Sequence, residues 1–150
     1  EQQGWLDEET IIVTHDSVRP FVTHRILEEN ICFARKYGAC DTVMPATDTI
    51  VESREDDRIT DIPNRKYMYQ GQTPQSFRAK KLKETYEALT EQEKEILTDA
   101  CKIMVLKGEH VHLVMGEVFN IKITYPYDIT VAKALLGMDL DEEQAGGAIC

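Results

Sequence analysis

An apolar run at residues 10–13 leads directly into a polar cluster at residues 14–21, which contains Asp16 and Arg19. A short apolar run rich in β-branched residues predicts a buried strand of a parallel sheet. In open α/β sheets, ligands bind outside the carboxyl ends of the strands. We therefore expect the carboxylate of Asp16 and the guanidinium of Arg19 to lie where they can meet a metal ion and phosphate groups.

The segments that follow predict an α/β fold with a mostly parallel sheet flanked by helices. Residues 23–37 predict a helix with Thr23 as its N-cap and Gly38 just beyond its end, and residues 40–46 predict a second strand. Such a βαβ unit is expected to be parallel and right-handed. Later strands are predicted at residues 67–72, 110–115 and 121–124, and later helices at residues 78–89, 98–107 and 126–136, with a short helix opened by a capping box at Thr90.

Two short β-like runs at residues 49–52 and 58–61 flank a polar turn, which predicts a hairpin-like arm over about residues 47–66. An arm of this kind has little core of its own and often packs on a partner subunit. Residues 1–137 are expected to form one domain, followed by a mobile tail at 138–150 that is acidic and then rich in Gly and Ala.

Charge and composition exclude several classes of function. The net charge of −10 argues against general nucleic-acid binding, which needs a basic face. No apolar run approaches the roughly 20 residues that a membrane span needs. A signal peptide is not visible, and none of the four cysteines forms a C-x-x-C pair, so we expect a cytoplasmic protein with free thiols. His110 and His112 could share a strand face and hold a metal, although a solvated face is the commoner reason for this spacing.

Further polar residues could bind phosphate, and each also has a simpler structural explanation. Arg65 and Thr73 could line a polyol-phosphate pocket or belong to a strand edge and turn. Thr98 could serve an anion site or only cap a helix, and Lys122 could face a cleft or extend into solvent. Magnesium takes one or two carboxylates and completes its shell with water and phosphates, which makes Asp16 the candidate ligand. The set indicates metal-assisted phosphoryl or nucleotidyl transfer.

These motifs, taken together and in this order, resemble the sugar-phosphate cytidylyltransferases, a family that includes the methylerythritol-phosphate and ribitol-5-phosphate enzymes. The resemblance covers about residues 10–136, and its motifs are residues 15–21, 48–49, 65, 72–77, 98–99 and 120–124. Residues 69–75 and 97–103 look closer to the ribitol branch, because Ala100 stands where the methylerythritol branch usually carries an acidic residue. The expected product is then CDP-ribitol, a precursor of teichoic acids, and the alternative is 2-C-methyl-D-erythritol 4-phosphate cytidylyltransferase.

The resemblance implies a Rossmann-like nucleotidyltransferase sheet, CTP and a polyol phosphate as substrates, Mg²⁺ as cofactor, and a homodimer formed through the arm. It assigns catalysis to Asp16, Arg19 and Lys122, with Asp16 also holding the metal. It assigns substrate binding to Thr49, Arg65, Thr73 and Thr98. Thr49 is expected to approach the pocket of the neighbouring subunit.

One departure affects the expected activity. The family begins with a strand and a Gly-rich loop that wraps the CTP triphosphate, and no Gly-rich phosphate loop precedes the strand at residue 10. The chain thus resembles the C-terminal portion of such an enzyme, and we expect it to be inactive alone. A non-catalytic dimerising module stays open as the rival from another class.

Overall fold

The computed structural model describes residues 7–55 and 57–138. Four strands form one sheet in the order β1-β3-β2-β4: β1 (Ile11–Thr14), β2 (Ala39–Pro45), β3 (Tyr69–Arg78) and β4 (His112–Met115). β3 is antiparallel to both β1 and β2, whereas β2 and β4 are parallel. Three strands therefore run in one direction, and the long β3 runs against them.

The predicted α/β class is confirmed, but the first βαβ unit is split. Helix α1 (His24–Tyr37) connects β1 to β2, and these strands run in the same direction as predicted. They are not neighbours, because β3 lies between them and pairs Phe77 with both Ile12 and Ala39. The prediction that residues 67–72 form this strand was too short, and it extends to Arg78. Its second half is buried between two strands, which local sequence does not reveal.

Strand β1 is less buried than the sequence predicted. It lies at the edge of the described sheet, and Ile12 and Val13 are 38% and 36% exposed. The expectation of a fully buried parallel strand was therefore wrong for β1, because its one described neighbour, β3, is antiparallel and covers only one edge.

Helices cover both faces of the sheet. Successive residues of a strand point to opposite faces, and on β2 Ala39 packs with Phe77 and Met104 while Cys40 packs with Ala34 and Val114. Helix α1 therefore lies on one face. The helices α2 (Ala79–Glu87) and α4 (Ala100–Leu106) lie on the other.

The helix ends follow the predicted capping signals. The Thr23 side chain accepts a hydrogen bond from the Ile26 amide, and Gly38 ends α1 with a φ of 91°. Thr90 and Glu93 form the predicted capping box of α3 (Glu91–Glu95), and Pro126 begins α5 (Pro126–Leu135). These signals are local, so they act in the same way whatever the surrounding fold.

Two predicted β segments have no regular ladder. Among its described residues, the arm forms two isolated antiparallel bridges, Glu52 to Asp61 and Glu55 to Arg58, so it is hairpin-like as expected. Residues 121–124 were predicted as a strand, but they form irregular chain without sheet pairing. The Ile123 amide donates to the carbonyl of Val18, which holds this segment beside residues 14–21.

Two other expectations are answered in part. Cys40 and Cys101 are buried free thiols, as predicted, whereas Cys32 is disulfide-bonded. Most of the predicted tail, residues 139–150, lies outside the described residues. Within the described ranges, no helix has the length and apolar character needed to cross a membrane.

Candidate functional site

A pocket of about 450 Å³ opens beyond the carboxyl end of β1, between the first half of β3 and the start of α4. Five of the predicted site residues line it: Asp16, Arg19, Thr73, Thr98 and Lys122. They come from four separate parts of the chain, and strand β1 positions the first two as the sequence predicted. The pocket is therefore the candidate active site.

Asp16 joins the two pocket cations. Its Oδ2 atom lies 3.3 Å from Arg19 Nε and 3.2 Å from Lys122 Nζ. Burial raises the pKa of Asp16, but the hydrogen bonds and positive charges of Lys122 and Arg19 outweigh it, and the pKa is lowered below its ordinary value. Asp16 is therefore ionised at neutral pH. Both ion pairs use Oδ2.

A buried amide network holds Lys122 at the pocket. Arg19 Nη1 donates to the Asn120 carbonyl at 2.8 Å, and Asn120 Nδ2 donates to the Thr73 carbonyl at 2.9 Å and to Gln72 Oε1 at 3.2 Å. Gln72 Nε2 donates in turn to the Glu117 carbonyl at 2.9 Å. In the sequence, Gln72 and Asn120 are only members of the motifs at residues 72–77 and 120–124, and nothing in their spacing shows that they meet.

Arg25 fixes the start of the loop that joins β4 to Lys122. Its guanidinium lies 2.8 Å from Glu29 and 2.6 Å from Glu117, and it donates to the Met115 carbonyl. Gly116 fits here because a Cβ atom would lie 2.2 Å from Gln72 Oε1. The loop between β4 and Lys122 is thus attached to both α1 and β3.

Helix capping and ligand binding, the two roles considered for Thr98, fall to two different residues. Asp99, not Thr98, is the N-cap of α4, since its Oδ1 accepts from the Lys102 amide at 2.9 Å. Thr98 lies one residue earlier and lines the pocket. Its hydroxyl is therefore not needed for capping and can serve a ligand.

Asp41 is a carboxylate behind the pocket that the sequence analysis missed. It accepts from Gln75 Nε2 at 3.1 Å, and Gln75 itself lines the pocket. Burial raises the pKa of Asp41 to about 6, with a further contribution from the charge of Asp99 and against the hydrogen bond from Gln75. A lone Asp within a strand carries no sequence signal that would single it out.

The raised pKa of Asp41 makes stability depend on pH. The folded state binds more protons than the unfolded state between the ordinary pKa near 3.8 and the raised value near 6, so stability falls as pH rises through this window and stays lower above it. Asp41→Asn retains the acceptor for Gln75 and removes the charge. Its gain in free energy of unfolding over wild type should be about 0.5 kcal/mol at about pH 4 and about 3 kcal/mol at about pH 7.

Urea unfolding of both proteins at the two pH values measures this difference. Asp57→Asn, at an exposed turn, serves as the matched control and should show no growth of the difference with pH. A gain for Asp41→Asn that is equal at both pH values would contradict the raised pKa.

Thr49 and Arg65 do not reach the pocket. Both are exposed on the arm, and Arg65 Nη1 donates to the Thr47 carbonyl at 2.6 Å. The structure of one chain therefore brings together five of the seven predicted site residues and separates these two from them.

The predicted histidine pair belongs to an aromatic cluster. The His112 ring stacks on Tyr37 at 4.2 Å and contacts Phe33 at 4.6 Å, and the His110 ring lies 5.7 Å from Tyr37. Among residues 7–55 and 57–138, no group of three or more His, Cys, Asp or Glu side chains could hold a metal ion. The two histidines are therefore best explained by packing.

Comparison with known proteins identifies the family. The family model of IspD, 2-C-methyl-D-erythritol 4-phosphate cytidylyltransferase, matches residues 4–138. A solved 4-diphosphocytidyl-2C-methyl-D-erythritol synthase from Anaerococcus prevotii is 33% identical, with 85% of this chain and 59% of that protein aligned at a TM-score of 0.73. The Thermus thermophilus cytidylyltransferase is 29% identical, with 85% and 62% aligned at the same TM-score. The Francisella tularensis enzyme, 20% identical with a TM-score of 0.78, shares the fold.

These matches correct the prediction of a ribitol-5-phosphate enzyme. The family model and the Thermus thermophilus structure are 2-C-methyl-D-erythritol 4-phosphate cytidylyltransferases, and the Anaerococcus prevotii structure is a 4-diphosphocytidyl-2C-methyl-D-erythritol synthase, so the alternative is the better supported interpretation. The ribitol assignment depended on residues 69–75 and 97–103 and on Ala100, which lines the pocket, and these short segments did not separate the two branches. The chain spans about three-fifths of the length of the solved structures that it matches. It belongs to the IspD family of 2-C-methyl-D-erythritol 4-phosphate cytidylyltransferases.

Proposed function

We propose that this chain forms the sugar-phosphate side of a 2-C-methyl-D-erythritol 4-phosphate cytidylyltransferase. In this reaction a phosphate oxygen of the sugar phosphate attacks the α-phosphorus of CTP, and pyrophosphate leaves. The observation that carries the proposal is the pocket, where Arg19 and Lys122 meet Asp16 beyond the end of β1. The match of the family model to residues 4–138 supports it.

The charges of the pocket favour one substrate over the other. Among the described lining residues, the two cations Arg19 and Lys122 are balanced by the two carboxylates Asp16 and Asp99. A single phosphate can be bound by Arg19, Lys122 and the Thr98 hydroxyl. The triphosphate of CTP carries several negative charges and needs further positive charge to stabilise the transition state. These residues therefore suit the sugar phosphate better than the triphosphate.

A magnesium ion would supply part of that missing charge. Asp16 offers one carboxylate oxygen, and Mg²⁺ commonly takes one or two carboxylates and fills its remaining positions with water and substrate phosphates. The donor set fits a metal that enters with the nucleotide. When bound, the ion would neutralise charge on the phosphates, while Arg19 and Lys122 orient the sugar phosphate.

Isothermal titration calorimetry, in which 2-C-methyl-D-erythritol 4-phosphate is added to the protein, tests this proposal. Lys122→Gln should weaken binding by about tenfold or more, because a charge-assisted hydrogen bond to phosphate is lost. The matched control is Lys133→Gln on the exposed face of α5, which should bind as the wild type does. Equal affinity for ribitol 5-phosphate, or equal losses in the two variants, would count against the proposal.

We further propose that the arm pairs two copies of the chain and brings Thr49 and Arg65 of one copy to the pocket of the other. Three apolar side chains of the arm, Val51, Ile59 and Ile62, are 51%, 56% and 57% exposed. A segment with so little core of its own gains stability by covering such side chains against a partner. The exposure of Thr49 and Arg65 on the same arm supports their use in a neighbouring site.

Placing negative charges among the apolar side chains of the arm should dissociate the proposed dimer. The double variant Ile59→Asp/Ile62→Asp is expected to sediment as a monomer at concentrations where the wild type is a dimer, because burying a carboxylate unpaired is strongly unfavourable. Analytical ultracentrifugation measures both species. The matched control, Ile96→Asp, alters an equally exposed side chain away from the arm and should leave the dimer intact. A wild-type chain that is monomeric at all concentrations would refute the arrangement.

A further inference from the structure

The hydroxyl of Thr73 is already engaged by two neighbours on the pocket wall. The Asp16 amide donates to Thr73 Oγ1 at 3.0 Å, and Thr73 Oγ1 lies 2.9 Å from His15 Nδ1. On its far side, the same imidazole places Nε2 2.9 Å from the Arg19 carbonyl. His15 therefore links the β3 strand to the two ends of the Asp16–Arg19 turn.

The chemistry of these atoms sets the direction of each hydrogen bond that links Asp16, Thr73, His15 and Arg19. A carbonyl oxygen only accepts, so His15 Nε2 carries the proton that it donates to Arg19. In the neutral imidazole Nδ1 is then the acceptor, and the donor that faces it is the Thr73 hydroxyl. The hydrogen of Thr73 Oγ1 is thus directed at His15, and one lone pair of Oγ1 is taken by the Asp16 amide.

We propose that His15 is a positioning residue that orients the Thr73 hydroxyl as a hydrogen-bond acceptor toward the pocket. An ionised phosphate oxygen also only accepts, so Thr73 cannot bind phosphate through its hydroxyl. Its remaining lone pair suits a hydroxyl donor, such as those of the carbon chain of a polyol phosphate. This assignment rests on the proposed function for the identity of the substrate, and it moves Thr73 from phosphate binding to recognition of the polyol.

Nitrogen-15 NMR of the histidine side chains tests the orientation without any substrate. At about pH 8.5, roughly two units above the ordinary histidine pKa, wild-type His15 should show the tautomer protonated at Nε2, with Nδ1 accepting a hydrogen bond. Thr73→Val should move the Nδ1 resonance to that of an unbonded acceptor nitrogen, and Thr73→Ser should retain the wild-type spectrum. His24 serves as the internal control, because it lies on the exposed start of α1 and should not respond. A proton on Nδ1, or an Nδ1 resonance that ignores Thr73→Val, would overturn the proposal.

A double-mutant cycle with inorganic phosphate as the probe tests the consequence for binding. His15→Phe and Thr73→Val are each expected to weaken phosphate binding by about three- to tenfold, because each loosens the Asp16–Arg19 turn. Thr73→Val removes both the bond to His15 and the acceptor of the Asp16 amide, so its loss should be at least as large as that of His15→Phe, and adding His15→Phe to it should cost little more. A loss of phosphate affinity in Thr73→Val with none in His15→Phe would show that the Thr73 hydroxyl acts on phosphate without His15 and would overturn the proposal. If a variant does not fold, the wild-type and Thr73→Ser spectra still decide the orientation.

Failure of this inference is separable from failure of the proposed function. The NMR measurement contains no substrate, so it can refute the role of His15 while methylerythritol phosphate still binds. Loss of sugar-phosphate specificity in the calorimetric titration would refute the proposed function and leave the His15 tautomer unaffected.

Discussion

Replacing Arg19 with glutamine is expected to produce the largest loss of function at this site. The Arg19 side chain is only 11% exposed, and it contacts Asp16 Oδ2 and the buried Asn120 carbonyl. The variant removes one pocket cation, leaves Asp16 paired only with Lys122, and deprives the Asn120 carbonyl of its donor. Breaking a partly buried, charge-assisted contact of this kind costs about 2–4 kcal/mol.

Two measurements follow from the loss of Arg19. The free energy of unfolding in urea should fall by that amount, and the Kd for inorganic phosphate should rise by about tenfold or more. Arg19→Lys separates the effect of the positive charge from that of the guanidinium geometry. Lysine retains the charge but lacks the planar group that reaches both Asp16 and the Asn120 carbonyl. We expect it to recover part of the phosphate affinity and little of the stability.

Arg35→Gln provides the matched control for Arg19→Gln. Arg35 lies on the exposed side of α1, and its replacement should change the free energy of unfolding by no more than about 0.5 kcal/mol. A result in which Arg19→Gln is as mild as this control would mean that the contacts of Arg19 contribute nothing measurable, and it would contradict the role assigned to the residue.

Replacing Phe77 with alanine is expected to cause the largest loss of stability in the described structure. Phe77 is fully buried and packs with Ala39, Cys101 and Met104 on the face of the sheet that α2 and α4 cover. Removing a buried aromatic ring costs about 3–5 kcal/mol through lost burial and the cavity left behind. Because whole domains are stable by only about 5–15 kcal/mol, this single change removes a large share of the total.

Thermal unfolding should show the effect of Phe77→Ala as a fall in Tm of roughly 6–20 °C. Phe77→Leu refills much of the volume and is expected to cost only about 1–2 kcal/mol. Tyr127→Ala serves as the control, because that ring is 74% exposed on α5 and its loss should leave the Tm nearly unchanged. Equal Tm values for Phe77→Ala and Tyr127→Ala would show that the cluster around Phe77 does not support the sheet.

Local signals in the sequence predicted the helices well. Thr23 and Gly38 mark the two ends of α1, and Thr90 with Glu93 marks the start of α3, because each acts on backbone groups within a few residues of itself. Local signals did not predict the place of β3, since the insertion of that strand between β1 and β2 depends on contacts with residues more than 20 positions away. The prediction of a strand at residues 121–124 was also wrong, because these β-branched residues form irregular chain without sheet pairing.

Several candidate residues of the site could be proposed before the fold was known. Asp16, Arg19 and Lys122 carry the charges that phosphate chemistry requires, and the place of the first two after a strand indicated the edge of the sheet where they would act. Those properties depend on residue types and on short spacings, and both can be read directly from the sequence.

Only the tertiary structure decided how these residues work together. The folded chain places Asp16 between two cations, holds Lys122 through Asn120 and Gln72, buries Asp41 until its pKa rises to about 6, and leaves Thr49 and Arg65 apart on the arm. Each of these results depends on distances between segments remote in sequence and on the removal of water from them. Hydrogen-bond direction, ion pairing and burial are properties of that three-dimensional arrangement, so no local pattern could have specified them.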